Sequence, residues 1–118
     1  MSEAAQFQDK NVDSLIATIA SSGDTSDAVL LFGTTAIGFI TPGTLTATTF
    51  TFLGSVDKGA TFVTIRDQLD AIVTYIVSTN SGYALDATIF APYDQIKVFT
   101  PGSTEAAERL IIIKPFAL

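Results

Sequence analysis

The chain has no cysteine, no histidine and no tryptophan, and only one methionine. Without cysteine it holds neither a disulfide nor a thiolate-bound metal, so cysteine usage gives no clue to its redox compartment. Missing histidine removes the commonest general base and the commonest transition-metal ligand together. Acyl transfer would then need an unusual Ser-Lys or N-terminal Thr arrangement, and the sequence shows neither. Basic side chains are scarce too: six, standing singly at Lys10, Lys58, Arg66, Lys97, Arg109 and Lys114, against twelve acids, for a net charge of −6. They form no patch able to neutralise phosphates, which disfavours nucleic acid and an anionic membrane as partners. No apolar run approaches the ~20 residues that a spanning helix requires. The first residues, MSEAAQFQDKN, lack the basic and apolar regions of a secretion signal.

What remains is an apolar, lightly charged chain. Its 118 residues are 47% hydrophobic and 15% charged, with a mean hydropathy of +0.44. That composition excludes a disordered chain and suits one domain that buries roughly two-thirds of its unfolded surface. It also leaves room for an apolar surface that another subunit covers, so a homo-oligomer is expected. Residues 1–12 are polar and show no strand alternation, and they read as an arm or a frayed tail. Residues 13–118 read as a single domain.

Thr49 to Asp67 organises the rest. Apolar residues alternate from Phe50 and Phe52 to Val56, a three-residue Asp57-Lys58-Gly59 junction follows with Gly59 left-handed, and a second β-prone run spans Thr61 to Ile65, which predicts a hairpin. Upstream, Leu15 to Ala20 fits a strand, although Val12, Leu15, Ile16 and Ile19 also stand at helical spacing. Ala28 to Phe32 reads as a strand buried on both faces, and Ala36 to Thr41 as the next. Pro42-Gly43 and Pro101-Gly102 each predict a type II turn. Downstream, strands are expected at Ala71 to Val77, with Ile72, Tyr75 and Val77 as its bulk, then at Tyr83 to Asp86 and Gln95 to Thr100, with a corner at Ala91 to Asp94. Arg109 to Lys114 is apolar on both faces, which belongs in the middle of the structure or against a partner. Eight or nine short strands with turn signals between them predict an all-β, antiparallel β-sandwich, jelly-roll-like.

No constellation of side chains states a reaction. Gly33 with Gly38 and Gly54 with Gly59 flank β-prone segments and read as turns and bulges, not as a phosphate cradle. Two carboxylate pairs, Asp67 with Asp70 and Asp86 with Asp94, could serve glycoside hydrolysis or hold calcium, but turn positions favour Asp capping its own backbone. Phe39, Phe50, Phe52, Phe62, Phe90, Phe99 and Phe116 read as core, while Tyr83 and Tyr93 stand beside turns and are candidates for stacking on a sugar. Catalytic, cofactor and metal residues are therefore assigned to none.

The order of motifs carries a resemblance. Ile16-Ala17-Thr18-Ile19, Ser26-Asp27-Ala28-Val29, Phe32-Gly33-Thr34-Thr35, Ile37-Gly38-Phe39, Thr41-Pro42, then Phe52, Ser55, Asp57, Gly59, Thr61 and Phe62, then Tyr83-Ala84-Leu85-Asp86 with Phe90, and last Arg109, resemble small β-sandwich virion proteins of tailed bacteriophages. Lys58 departs from the small residue expected at its turn position. The resemblance implies a non-enzymatic structural component made in the host bacterial cytoplasm and located in the virion. A head decoration or cement protein is the expectation, with phage capsid or neck proteins as partners. A fibre or neck subunit and a carbohydrate-binding module are the alternatives.

Overall fold

The computed structural model describes residues 13–118, so the expected arm at 1–12 lies outside the described residues. The elements in order are β1 Leu15–Ile19, β2 Val29–Leu30, β3 Thr34–Ile40, β4 Thr49–Ser55, β5 Val63–Thr64, β6 Thr74–Ile76, β7 Gly82–Ala84, α1 Ala87–Phe90, β8 Gln95–Phe99 and β9 Arg109–Ala117. One sheet runs β1-β9-β3-β7 and the other β2-β8-β4-β5, with β6 also on β4. β8 takes one edge of β4; β5 and β6 share the opposite edge and together fill a single strand position.

Counted in that way the chain pairs as one long hairpin doubled at its middle. β1 lies against β9, β2 against β8, β3 against β7, and β4 against β5 and β6, all antiparallel. Rolling that hairpin so that β9 also meets β3 and β8 also meets β4 makes a jelly roll. The expected all-β sandwich is what forms, and the β4–β5 turn is the tip of the doubled chain.

That tip is wider than the sequence suggests. Strand pairing stops at Ser55 and resumes at Val63, so the connection is 56–62 and not the three residues 57–59. Side chains occupy the difference: Ser55 Oγ donates to Asp57 Oδ1 at 2.7 Å and accepts the Gly59 N–H at 2.8 Å, while Asp57 Oδ1 accepts the Thr61 N–H at 2.9 Å. Two successive left-handed residues, Lys58 at φ 59° and Gly59 at φ 91°, reverse the chain. Gly59 is therefore left-handed as expected, and Lys58 shares the role.

Inward-facing residues of the two sheets form the core. Phe39 from β3, Phe50 and Phe52 from β4 and Phe90 from α1 are buried, with Ile111 and Ile113 from β9 beside them. Phe52 meets Phe90 edge-on at 5.2 Å and Phe39 at 5.8 Å between ring centroids, a preferred aromatic geometry. The segment before β2 closes one side of the sandwich. Ser26 donates its N–H to the Val98 carbonyl and accepts the Val98 N–H on Oγ, and Asp27 donates its N–H to the Thr18 carbonyl, so one loop joins both sheets.

Several local expectations fail for identifiable reasons. Ala28 to Phe32 is not buried on both faces: only Val29 and Leu30 are strand, Val29 and Leu31 face inward, and Leu30 and Phe32 are exposed. In the β6 region Val73, Tyr75 and Val77 point to the core while Ile72 is exposed, because Tyr75 pairs with inward-facing Phe50 and fixes the register. Gly102 is left-handed at φ 77°, but Gly43 is not; Pro42 accepts the Asn80 N–H instead, and Asn80 adopts φ 52°. The corner expected at 91–94 is preceded by α1, whose N-cap is Asp86. Phe62, Phe99 and Phe116 do not join the core; Phe99 stands on the outer face of its sheet opposite Thr51.

Candidate functional site

Strand β9 decides what the outside of its sheet looks like. Side chains alternate across a sheet, so Ile111, Ile113 and Pro115 face the core and Leu110, Ile112, Lys114 and Phe116 face out. Register then lines up neighbours: Ile16 of β1 stands opposite Ile112, and Ile112 stands opposite Ile40 of β3. The three isoleucines form one transverse row, with Leu110 beside it opposite Thr18. They remain 53%, 37% and 50% exposed in the order Ile16, Ile112, Ile40, and Leu110 48%, so the row is open to solvent in the isolated chain. The outer face of the other sheet is different in kind. There Thr49, Thr51, Thr64 and Thr74 share the outer side with Leu53, Ile76, Phe99 and Lys97, whose Nζ lies 4.3 Å from the Phe62 ring centroid. One face carries an unbroken aliphatic row across three strands, and the other mixes threonine with single large apolar residues, Ile76 at 83% exposure among them.

The candidate carboxylates are regrouped by the fold. Asp67 and Asp86, one from each expected pair, line the same cleft of about 600 Å³ with Arg66 and Tyr93. Asp70 lies outside it and pairs with Arg66 at 3.5 Å, and the Asp94 carboxylate accepts the Lys58 N–H at 3.1 Å under the tip loop. Each of the two cleft acids closes its own turn. Asp67 Oδ1 accepts the Leu69 and Ala71 N–H groups, and Asp86 Oδ1 accepts the Thr88 N–H and hydroxyl. The Thr88 hydroxyl, then its amide, hold the Asp86 carboxyl below the usual range, so it is ionised and poorly suited to protonate a leaving group. Among the described residues no group of three or more acids could hold a metal ion.

The tyrosines separate. Tyr83 stands on the edge strand β7 but turns inward: its ring stacks on Phe39 at 4.9 Å, and its hydroxyl accepts the Ser78 N–H at 2.7 Å. Tyr93 does line the cleft. It lies so close to Gly54 that a Cβ there would fall 2.4 Å from the ring, so the backbone of β4 fixes its position.

No protein-family model, curated protein or solved structure matches the chain.

One functional group escapes sequence reading altogether. Glu105, in the loop before β9, is 1% exposed and fully hydrogen-bonded. Its two oxygens accept the Thr46 and Ala47 N–H groups at 2.8 Å each, and Arg109 Nε donates to it at 2.8 Å. Burial pushes its carboxyl up, and the Thr46 amide, the Arg109 guanidinium and the Ala47 amide together outweigh that and hold it below its ordinary value. The four-residue spacing to Arg109 was the available signal, but in a loop it carries no weight until the chain is folded.

Proposed function

We propose that this chain is a non-enzymatic structural protein of a tailed-phage virion, a decoration or cement subunit that binds the head surface and copies of itself. The observation that carries the reading is the solvent-open row Ile16–Ile112–Ile40 with Leu110, on the middle and side of a sheet whose core-facing residues are already satisfied. Burial of apolar surface is worth roughly 25 cal/mol per Å². A stable contact between subunits covers about 800 Å² on each partner, with an apolar centre inside a polar rim. The isoleucine row, contiguous across β1, β9 and β3, supplies such a centre. The virion setting rests on the sequence resemblance, which also leaves a fibre or neck subunit as the second location.

The test has two parts. Mass spectrometry of purified particles should find the chain as a stoichiometric virion component. Particles lacking it should take up the purified protein but not its Ile112→Asp variant. Absence from purified particles, or equal uptake of the variant, would end the proposal.

A further inference from the structure

The cleft beside Tyr93 is a second feature, separate from the isoleucine row and independent of the reading above. We infer that it is a binding site for an uncharged saccharide, held by Tyr93, Arg66, Gln68 and the free oxygens of Asp67 and Asp86.

Five observations lead there. The first is the concavity itself: the turn after β5, carrying Arg66, Asp67 and Gln68, faces the α1 segment carrying Asp86, Thr88 and Tyr93 across about 600 Å³. Ligand sites are concavities of this order that combine apolar walls with a few polar groups. The second is the aromatic ring. Gly54 leaves Tyr93 no room to swing toward β4, so the ring is fixed before any ligand arrives, and the C–H-rich face of a sugar ring packs well on such a surface.

Third, the polar groups have the right chemistry. Each carboxylate uses Oδ1 in its own turn, which leaves Oδ2 to accept a sugar hydroxyl. Arg66 uses NH1 on the Asp70 carbonyl, and the rest of the guanidinium and the Gln68 amide remain as planar donors. Adjacent donors and acceptors of this kind match neighbouring hydroxyls on one ring.

Fourth, backbone groups at the cleft are consumed locally. The Asp67 N–H goes to the Ala71 carbonyl, the Asp70 N–H to the Asp67 carbonyl, and the Tyr93 N–H to the Phe90 carbonyl. An extended peptide needs free main-chain partners to add as a strand, and these turns do not offer them. Fifth, charge selects against acidic sugars. One guanidinium, Arg66, lines the cleft with two carboxylates, Asp67 and Asp86, and a ligand carboxylate or phosphate would enter a net negative site. Asp86, held ionised, is unsuited to the general-acid role that glycoside hydrolysis requires, so binding without cleavage is the expected behaviour.

A printed array of uncharged hexose and N-acetylhexosamine oligosaccharides, alongside sialylated and uronic-acid ones, tests this, followed by calorimetric titration of the strongest neutral hit. The wild-type chain should bind neutral glycans in preference to acidic ones. Tyr93→Ala, Arg66→Ala and Gln68→Ala should each weaken the titrated affinity about tenfold or more, the equivalent of one good contact. Arg66 and Gln68 lie on an exposed turn, so their variants decide the matter even if Tyr93→Ala fails to fold. Ile112→Asp, on a different surface, should bind the glycan normally, which keeps this test apart from that of particle binding. Binding of no neutral glycan, a preference for acidic ones, or affinities unmoved by the Arg66 and Gln68 changes would overturn the inference.

Discussion

Glu105 shows how one side chain can hold two loops. Its carboxylate sits between the 44–48 loop and the start of β9, taking two amides from one and a guanidinium from the other. Removing one partner from a buried charged network costs roughly 3–5 kcal/mol, so Glu105→Ala should lower the unfolding free energy by about that amount at pH 7. The pH dependence has a definite sign. Because the folded carboxyl lies below its ordinary value of 4.5, its stabilisation is fully present above that value and is lost as pH falls through the lower, folded one. Urea denaturation at pH 7 and at pH 3 should therefore show the gap between wild type and Glu105→Ala shrinking in acid. Lys58 makes the opposite point. A non-glycine residue at φ 59° carries a left-handed penalty of about 1 kcal/mol. Lys58→Gly should raise the thermal midpoint slightly or leave it unchanged, whereas Gly59→Ala, at φ 91° and against the Gln95 side chain, should lower it.

Among the strands, β9 couples sequence pattern to surface most directly. Its four-residue run Leu110 to Ile113 announced a strand apolar on both faces, and it is indeed central in its sheet with Ile111 and Ile113 inward. What the run alone could not say is that nothing within the described chain covers the outward half. That depends on Ile16 and Ile40 arriving at the same register from 96 and 72 positions away. The same limit explains the cleft. Asp67 and Asp86 look like members of two local pairs in the sequence, and only the folded chain sets the β5–β6 turn and α1 on the two sides of one cleft. Local turn chemistry, by contrast, was readable: Gly59 and Gly102 are left-handed, and Asp67 and Asp86 cap their own turns. The short helix at 87–90 was missed because four residues cannot show a helical period. For the outward positions the physics gives a clear expectation. Replacing Ile16 and Ile112 together by threonine keeps β-branched residues in the sheet, so the unfolding free energy of the dilute chain should change by less than about 1 kcal/mol, measured by chemical denaturation.

Taken together, the molecule is a doubled hairpin rolled into two sheets that differ in their outer surfaces. One outer surface carries the contiguous isoleucine row, while the other mixes threonine with Leu53, Ile76 and Phe99; on the proposed reading the row is where a neighbour sits. Separate regions carry the cleft and the row. Multi-angle light scattering on a concentration series bears on this most directly. Wild-type protein should rise above the 12.4 kDa of one chain as concentration increases, and the Ile16→Thr, Ile112→Thr double variant should stay at that mass while remaining folded. A wild-type chain that holds the monomer mass throughout, or a double variant that associates as strongly, would contradict the assignment of that face as the contact surface.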